Sequence, residues 1–218
     1  MSTSLSSAAD GVRTALLNAS EEDRPFRHWR LASLLPPVLY RALRDRDVGE
    51  PPACDGSGRR ETRNAARTFL GPRTRDAAAV TLVNAFQHPA VVETVSALTG
   101  ADLQGCFLRI EYCQDVDGFW LEPHRDVPAK RITLLIYLSD SPGSEAWGTD
   151  LLDADGRLVC RPAARPNSGV MFRPSADSWH GFAPRPIVGV RRTLIVNYVA
   201  PEWRAREELA FPDQPVGG

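Results

Sequence analysis

The run Gly118-Phe119-Trp120-Leu121-Glu122-Pro123-His124-Arg125-Asp126 decides how this chain is read. It reads as a β-strand, and it carries a His-x-Asp pair. In an extended strand, residues two apart point to one face. His124 and Asp126 therefore offer one nitrogen and one oxygen to a common point. Alone, His-x-Asp is a weak motif. A third metal ligand has to come from elsewhere, and the other histidines are His28, His88 and His180. His180 is the candidate, because Ser178-Trp179-His180-Gly181-Phe182 is also strand-like. His28 has no carboxylate two residues on, and His88 stands at a helix junction before Pro89.

Two histidines and one carboxylate form a facial ligand set suited to non-haem iron(II), with the opposite face of the metal left open. Further on, Arg191-Arg192-Thr193 opens the apolar run Leu194-Ile195-Val196-Asn197-Tyr198-Val199. On a strand, Arg191 and Thr193 share a face. The planar guanidinium pairs with a carboxylate through two hydrogen bonds, and a buried arginine asks for an anion. That anion is either a structural Asp or Glu, or a dicarboxylate from solution.

The ordered set His124-x-Asp126, His180 and Arg191-x-Thr193 resembles the pattern of the 2-oxoglutarate- and Fe(II)-dependent oxygenases, over about Phe107 to Tyr198. Tyr112 and Tyr137 resemble cosubstrate-pocket tyrosines of the prolyl-hydroxylase-like branch, although the loop Cys113 to Gly118 is longer than the pattern there. The resemblance implies an α+β, mainly β chain built on a double-stranded β-helix (jelly roll), with helices packed on one sheet. It implies iron held by His124, Asp126 and His180, and 2-oxoglutarate bound by Arg191, Thr193, Tyr137 and Tyr112. Arg192 would face away unless a bulge exchanges it with Arg191. With O2 as the other cosubstrate, the chemistry is hydrogen abstraction from a C–H bond, with release of succinate and CO2. Halogenating relatives have Gly or Ala where Asp126 stands, so halogenation is disfavoured. Hydroxylation, desaturation and oxidative ring closure stay open.

Substrate signals are thinner. By strand alternation Trp120 and Glu122 share the face of His124 and Asp126, and Asn197 shares that of Arg191 and Thr193. A carboxylate and an amide beside the metal suit a small polar molecule such as a sugar, an amino sugar or an amino acid. Glu122 could instead pair with Arg109 or Arg131 as scaffold. The chain's size resembles bacterial tailoring oxygenases of natural-product biosynthesis. Competing readings are a cupin-like metal enzyme that does not use 2-oxoglutarate, and a non-catalytic jelly-roll binding protein.

The 218 residues, 43% hydrophobic and 24% charged with net charge −1, fit a soluble globular protein. The charge balance argues against nucleic acid as an obligate partner. No apolar run approaches the roughly 20 residues of a membrane span, and Met1 to Asp10 lacks a signal-peptide pattern, so a cytoplasmic protein is expected. Cys54, Cys106, Cys113 and Cys160 have no metal-ligand spacing and read as free thiols.

The expected organisation is one domain, with residues 1–100 a mostly helical support and 103–200 the β core that carries the iron site. Helices are expected at Ala8–Ala19, Val38–Arg46, Thr74–Gln87, Pro89–Leu98 and Glu202–Glu208. Early strands are expected at Phe26–Leu31 and Arg63–Leu70. Eight short strands are expected between Leu103 and Ala200, with a hairpin turn at Asp155-Gly156. Residues 47–60, rich in Pro, Gly and charge, read as a surface loop or a lid.

Overall fold

The nine-residue strand Arg191–Val199 sits inside a seven-stranded antiparallel sheet, and its alternating side chains separate an apolar core from a polar interior. The structure, a computed structural model, describes residues 2–51, 67–72 and 75–217. In chain order the helices are α1 (Ser2–Leu17), α2 (Pro37–Arg44), α3 (Ala77–Gln87) and α4 (Pro89–Thr99). The strands are β1 (Ser20–Glu22), β2 (His28–Leu31), β3 (Arg67–Phe69), β4 (Phe107–Asp115), β5 (Leu121–His124), β6 (Lys130–Tyr137), β7 (Asp150–Leu152), β8 (Leu158–Cys160), β9 (Ser168–Phe172), β10 (His180–Phe182) and β11 (Arg191–Val199).

Local chemistry sets the helix ends. Asp76 caps α3 by accepting hydrogen bonds from the N–H groups of Ala78 and Ala79. His88 caps α4 through a ring nitrogen, with Pro89 in the first turn, and Gly100 ends that helix at φ 69°. His88 is therefore structural, as expected. Among the described residues, no helix is long and apolar enough to cross a membrane.

The large sheet runs β1-β2-β9-β6-β11-β4-β3 and the small one β5-β10-β7-β8. From β4 to β7 successive strands alternate between the sheets, and β9, β10 and β11 do so again. One face of the large sheet carries Leu108, Ile110, Ile132, Leu134, Leu194 and Val196 into the main apolar core, with α1, α3 and α4 packed over it. Its other face looks toward the small sheet. Leu135, Val170 and Phe172 meet Leu151 there, while Phe119, Trp147 and Phe182 fill the far end.

The structure departs from the sequence reading in specific places. The strand at Phe26–Leu31 is shorter, and with Ser20–Glu22 it forms a hairpin that extends the large sheet through β9. Asp126 lies beyond the end of β5, in the connection to β6. The helix at Glu202–Glu208 is only a 3-10 turn over Arg206–Glu208, because Leu209 bridges to Arg109 at the sheet. The hairpin turn at Asp155-Gly156 is present, with Gly156 at φ 77°. Residues 52–60, with Cys54, and residues 63–66 and 74 lie outside the described residues. Cys106, Cys113 and Cys160 are free.

Tyr198 ties helix to sheet. Its hydroxyl donates to the carbonyl of Phe86 at 2.6 Å, in the last turn of α3, where helix carbonyls lack partners within the helix. Tyr198→Phe leaves that buried carbonyl unpaired and is expected to cost about 1–3 kcal/mol, read as a lower urea midpoint at unchanged slope.

Candidate metal centre

β5 and β10 are antiparallel neighbours, and their register sets His124 directly opposite His180. The two rings lie 4.2 Å apart, centroid to centroid. Asp126 reaches the same point from beyond the strand end. One ligand atom from each of His124, Asp126 and His180 lies within 4.8 Å of the others.

The donor set suits a divalent transition metal. Nδ1 of His124 is 3.0 Å from the carbonyl of Glu122, and Nδ1 of His180 is 2.9 Å from that of Ser178. A carbonyl only accepts, so each Nδ1 carries the hydrogen and Nε2 carries the lone pair. Such outer hydrogen bonds fix the tautomer and the ring orientation of metal-binding histidines. Burial pushes the His180 imidazole down to about 4, beyond what the nearby Asp126 carboxylate restores. His180 is therefore neutral at pH 7. Asp126 is held well below the usual carboxylate range: its burial acts against this, and the Lys130 ammonium with the hydrogen bonds from Lys130 and Thr133 outweighs it.

Two residues that sequence reasoning did not single out position Asp126. Lys130 Nζ donates to Oδ1 at 2.6 Å and Thr133 Oγ1 donates to Oδ2 at 2.7 Å. Each carboxylate oxygen has two lone pairs, so these bonds leave acceptor capacity for a metal. Thr133 in turn accepts from Asn197 Nδ2 at 3.0 Å, Asn197 Oδ1 accepts from Arg109 at 3.1 Å, and Arg109 pairs with Glu208 at 2.6 Å. Asn197 thus shares the face of Arg191 and Thr193, as alternation implies, but it is consumed in this chain of bonds and does not line the cavity.

The three candidate ligands form one wall of a cavity of ≈ 100 Å³ between the sheets. Arg191 and Thr193 line it, with Leu135, Ile195, Phe119 and Phe182 as apolar walls. Arg192 lies on the opposite face of β11, so alternation holds without a bulge. Arg191 donates Nε–H to the carbonyl of Trp147 at 2.8 Å and pairs with Asp115. Arg67 of β3 also lines the cavity and reaches Asp115 at 2.8 Å. Thr193 Oγ1 and Arg67 Nε are buried without a hydrogen-bond partner among the described residues, and the Glu111 carboxylate stands 3.9 Å from that Nε. Cys113 completes the wall as a neutral thiol, its pKa pushed up to about 12 by burial. Buried polar atoms without partners at the end of a cavity mark where a polar ligand group fits.

The other sequence candidates fall elsewhere. Tyr137 lies on the inner face opposite Thr193, and its hydroxyl accepts from the Thr149 N–H at 3.0 Å. Tyr112 points the other way, into the helix-side core, because β4 turns Cys113 and Asp115 inward and Tyr112 outward. Trp120 and Glu122 line a separate groove of ≈ 390 Å³ with Leu158 and Arg161. A bulge is the cause. Phe182 pairs with Leu121 while His180 pairs with His124, so β5 has one extra residue and the alternation reverses. Arg109 and Arg131 pair with other carboxylates, at Glu111, Glu208 and Glu202. His28 turns Nδ1 to the carbonyl of Phe26 and faces Glu22 at 3.5 Å.

No family model and no curated protein matches the chain by sequence. Its fold is shared with solved structures. A prolyl-4-hydroxylase from Pseudomonas putida aligns at TM-score 0.58 and 15% identity, covering 88% of this chain and 94% of that one. A prolyl hydroxylase from Trichoplax adhaerens, solved with a peptide fragment of hypoxia inducible factor, aligns at TM-score 0.58 and 14% identity, covering 94% of both chains. A viral collagen prolyl hydroxylase from Paramecium Bursaria Chlorella virus-1, solved as its 2-oxoglutarate complex, aligns at TM-score 0.53 and 12% identity, covering 79% and 96%. At these identities the likeness is one of fold.

Thr133 gives the first test of the site. Thr133→Val removes the donor to Asp126 and is expected to weaken Co(II) binding by about tenfold or more, measured by calorimetric titration. Thr133→Ser keeps the hydroxyl and is expected to bind as the parent does.

Proposed function

We propose that this chain is a non-haem Fe(II)- and 2-oxoglutarate-dependent oxygenase on a double-stranded β-helix, acting on a C–H bond of a small polar molecule. The observation that carries the reading is the cavity itself. Its one wall presents the two-histidine, one-carboxylate set, and it ends at Arg191, Thr193 and Arg67, with two buried polar atoms that have no hydrogen-bond partner among the described residues. A dicarboxylate that chelates a metal at one end needs such an arginine and hydroxyl at the other.

When bound, iron with 2-oxoglutarate and O2 supplies the oxidising chemistry, which yields succinate and CO2 and removes a hydrogen atom from the substrate. The protein's own residues do the rest. His124 and His180 give neutral nitrogen donors, and Asp126 gives an ionised oxygen donor. Lys130 and Thr133 hold the Asp126 carboxylate in one orientation. Arg191 and Thr193 take the far carboxylate of the cosubstrate, and Arg67 adds a second guanidinium. Asp115, between the two arginines, holds both guanidinium groups in place. Tyr137, with its hydroxyl fixed by the Thr149 N–H, backs this end. Leu135, Ile195, Phe119 and Phe182 keep water out, which strengthens every electrostatic contact inside. Hydroxylation, desaturation and ring closure all begin with the same abstraction.

The test is an anaerobic titration with Fe(II) and then 2-oxoglutarate. A weak visible charge-transfer band is expected only with both, and is expected to be lost in Asp126→Ala. Iron bound without the band would indicate a cupin-like metal enzyme. No iron bound would indicate a non-catalytic protein. In Arg191→Lys, which keeps the charge but loses the planar fork, and in Arg67→Ala, 2-oxoglutarate is expected to bind about tenfold more weakly or worse, with Co(II) affinity unchanged.

A further inference from the structure

We propose that the open depression on the outer side of the metal centre binds a carboxylate or phosphate group of the substrate, so that the molecule oxidised is a small anion. This rests on the oxygenase reading for the word substrate, but the anion site stands on its own residues.

The depression measures ≈ 810 Å³, the scale of a small-molecule site. His124, Asp126 and Lys130 line both it and the inner cavity. His124 and Asp126 are thus shared by the two spaces, while His180 lines the inner cavity alone. A molecule seated in the depression lies beside these two side chains.

The charges of this space are one-sided. Arg125, Lys130, Arg131 and Arg173 line it, and Asp126 is the acidic residue among the lining residues. Asp126 is engaged by Lys130 at 2.6 Å and belongs to the metal set. Arg131 has a loose contact with Glu202 at 3.7 Å, both side chains being about half exposed or more. Asp177, in the loop between Ala176 and Trp179, is exposed and does not line the depression. Arg125 and Arg173 form no ion pair among the described residues. Each is instead held by a backbone carbonyl, Arg125 by Ala176 at 3.1 Å and Arg173 by Gly100 at 3.3 Å. Arg125 also lies over the ring of Trp179, 4.8 Å from its centroid. Both guanidinium groups are therefore oriented while most of their donors remain for a ligand. The chain as a whole carries net charge −1, so this concentration of cations is local.

Apart from His124 and Ser175, the rest of the lining is apolar. Pro123, Pro128, Pro174 and Val127, 53% exposed, surround the cations. A ligand with an anionic head and a compact apolar body matches both features. A neutral sugar or an amino sugar, the class suggested by Glu122 and Asn197 from sequence, does not match, because neither residue reaches this space.

The experiment uses four probes of one shape: phenyl phosphate, benzoate, benzyl alcohol and benzylamine. Binding is measured by saturation-transfer NMR and calorimetry on protein loaded with Co(II) and 2-oxoglutarate, so that benzoate cannot enter the cosubstrate cavity, and again on metal-free protein. The two anions are expected to bind, more weakly as salt rises, and the neutral and cationic probes are expected not to. The tighter anion identifies the head group. In the double variant Arg125→Ala/Arg173→Ala the anion Kd is expected to rise about tenfold, with the charge-transfer band of a parallel anaerobic sample loaded with Fe(II) and 2-oxoglutarate reporting an intact centre. Equal binding of all four probes, or anion binding unchanged in the double variant, would overturn the proposal. Anion binding without a charge-transfer band would overturn the oxygenase reading and leave the anion site. A band without charge discrimination would do the reverse.

Discussion

Everything at the site depends on the register of β11. The strand is hydrogen-bonded to β4 from Arg191↔Asp115 to Val199↔Phe107 and to β6 from Thr193↔Tyr137 onward. With neighbours on both sides and helices over one face, it has one solution. Leu194, Val196 and Tyr198 go to the helices, and Arg191, Thr193, Ile195 and Asn197 go to the interior. A slip of one residue would exchange the two sets, placing Arg191, Thr193 and Asn197 on the side of the apolar core. The same alternation on β4 turns Arg109, Glu111, Cys113 and Asp115 inward, and on β6 it turns Thr133, Leu135 and Tyr137 inward.

That polar interior is unusually charged for a space between two sheets. Asp115 is 1% exposed and stands between Arg67 and Arg191, while Glu111 contacts Arg109 and lies near Arg67. Isolated buried charges would be prohibitive, and pairing makes them tolerable without making them strongly stabilising. Removing one partner would strand another, at about 3–5 kcal/mol. The arrangement has a use beyond stability. A guanidinium held by Asp115 and by the carbonyl of Trp147 is immobilised before any ligand arrives, so less entropy is lost when a carboxylate docks. His124, His180 and Asp126 are fixed in the same manner, through the carbonyls behind both histidines and the bonds from Lys130 and Thr133 to Asp126.

Much of this was legible from sequence where the two-residue repeat holds over the residues concerned. His124, His180, Arg191 and Thr193 were readable because their types are rare in such settings and their spacing follows the two-residue repeat. Where the repeat breaks, the reading fails. Trp120 and Glu122 were assigned to the metal face by counting back from His124, and the bulge at Leu121 reverses that count. Tyr112 was assigned by likeness of position, whereas its neighbours Cys113 and Asp115 take the inner face. Arg67, Lys130 and Asp115 gave no signal, since a lone charged residue in a loop or at a strand end is ordinarily solvated.

The sequence by itself determined which residue types could share a metal, the strand that carries the arginine, and which of two adjacent arginines faces inward. These follow from side-chain chemistry and from alternation along one segment, both local properties. Only the tertiary structure decided that His124 stands opposite His180, that Arg67 joins Arg191 across Asp115, and that four cations gather beside His124 and Asp126. Those facts depend on which strands become neighbours and on a bulge between them. They are set by long-range pairing, which no spacing along the chain encodes.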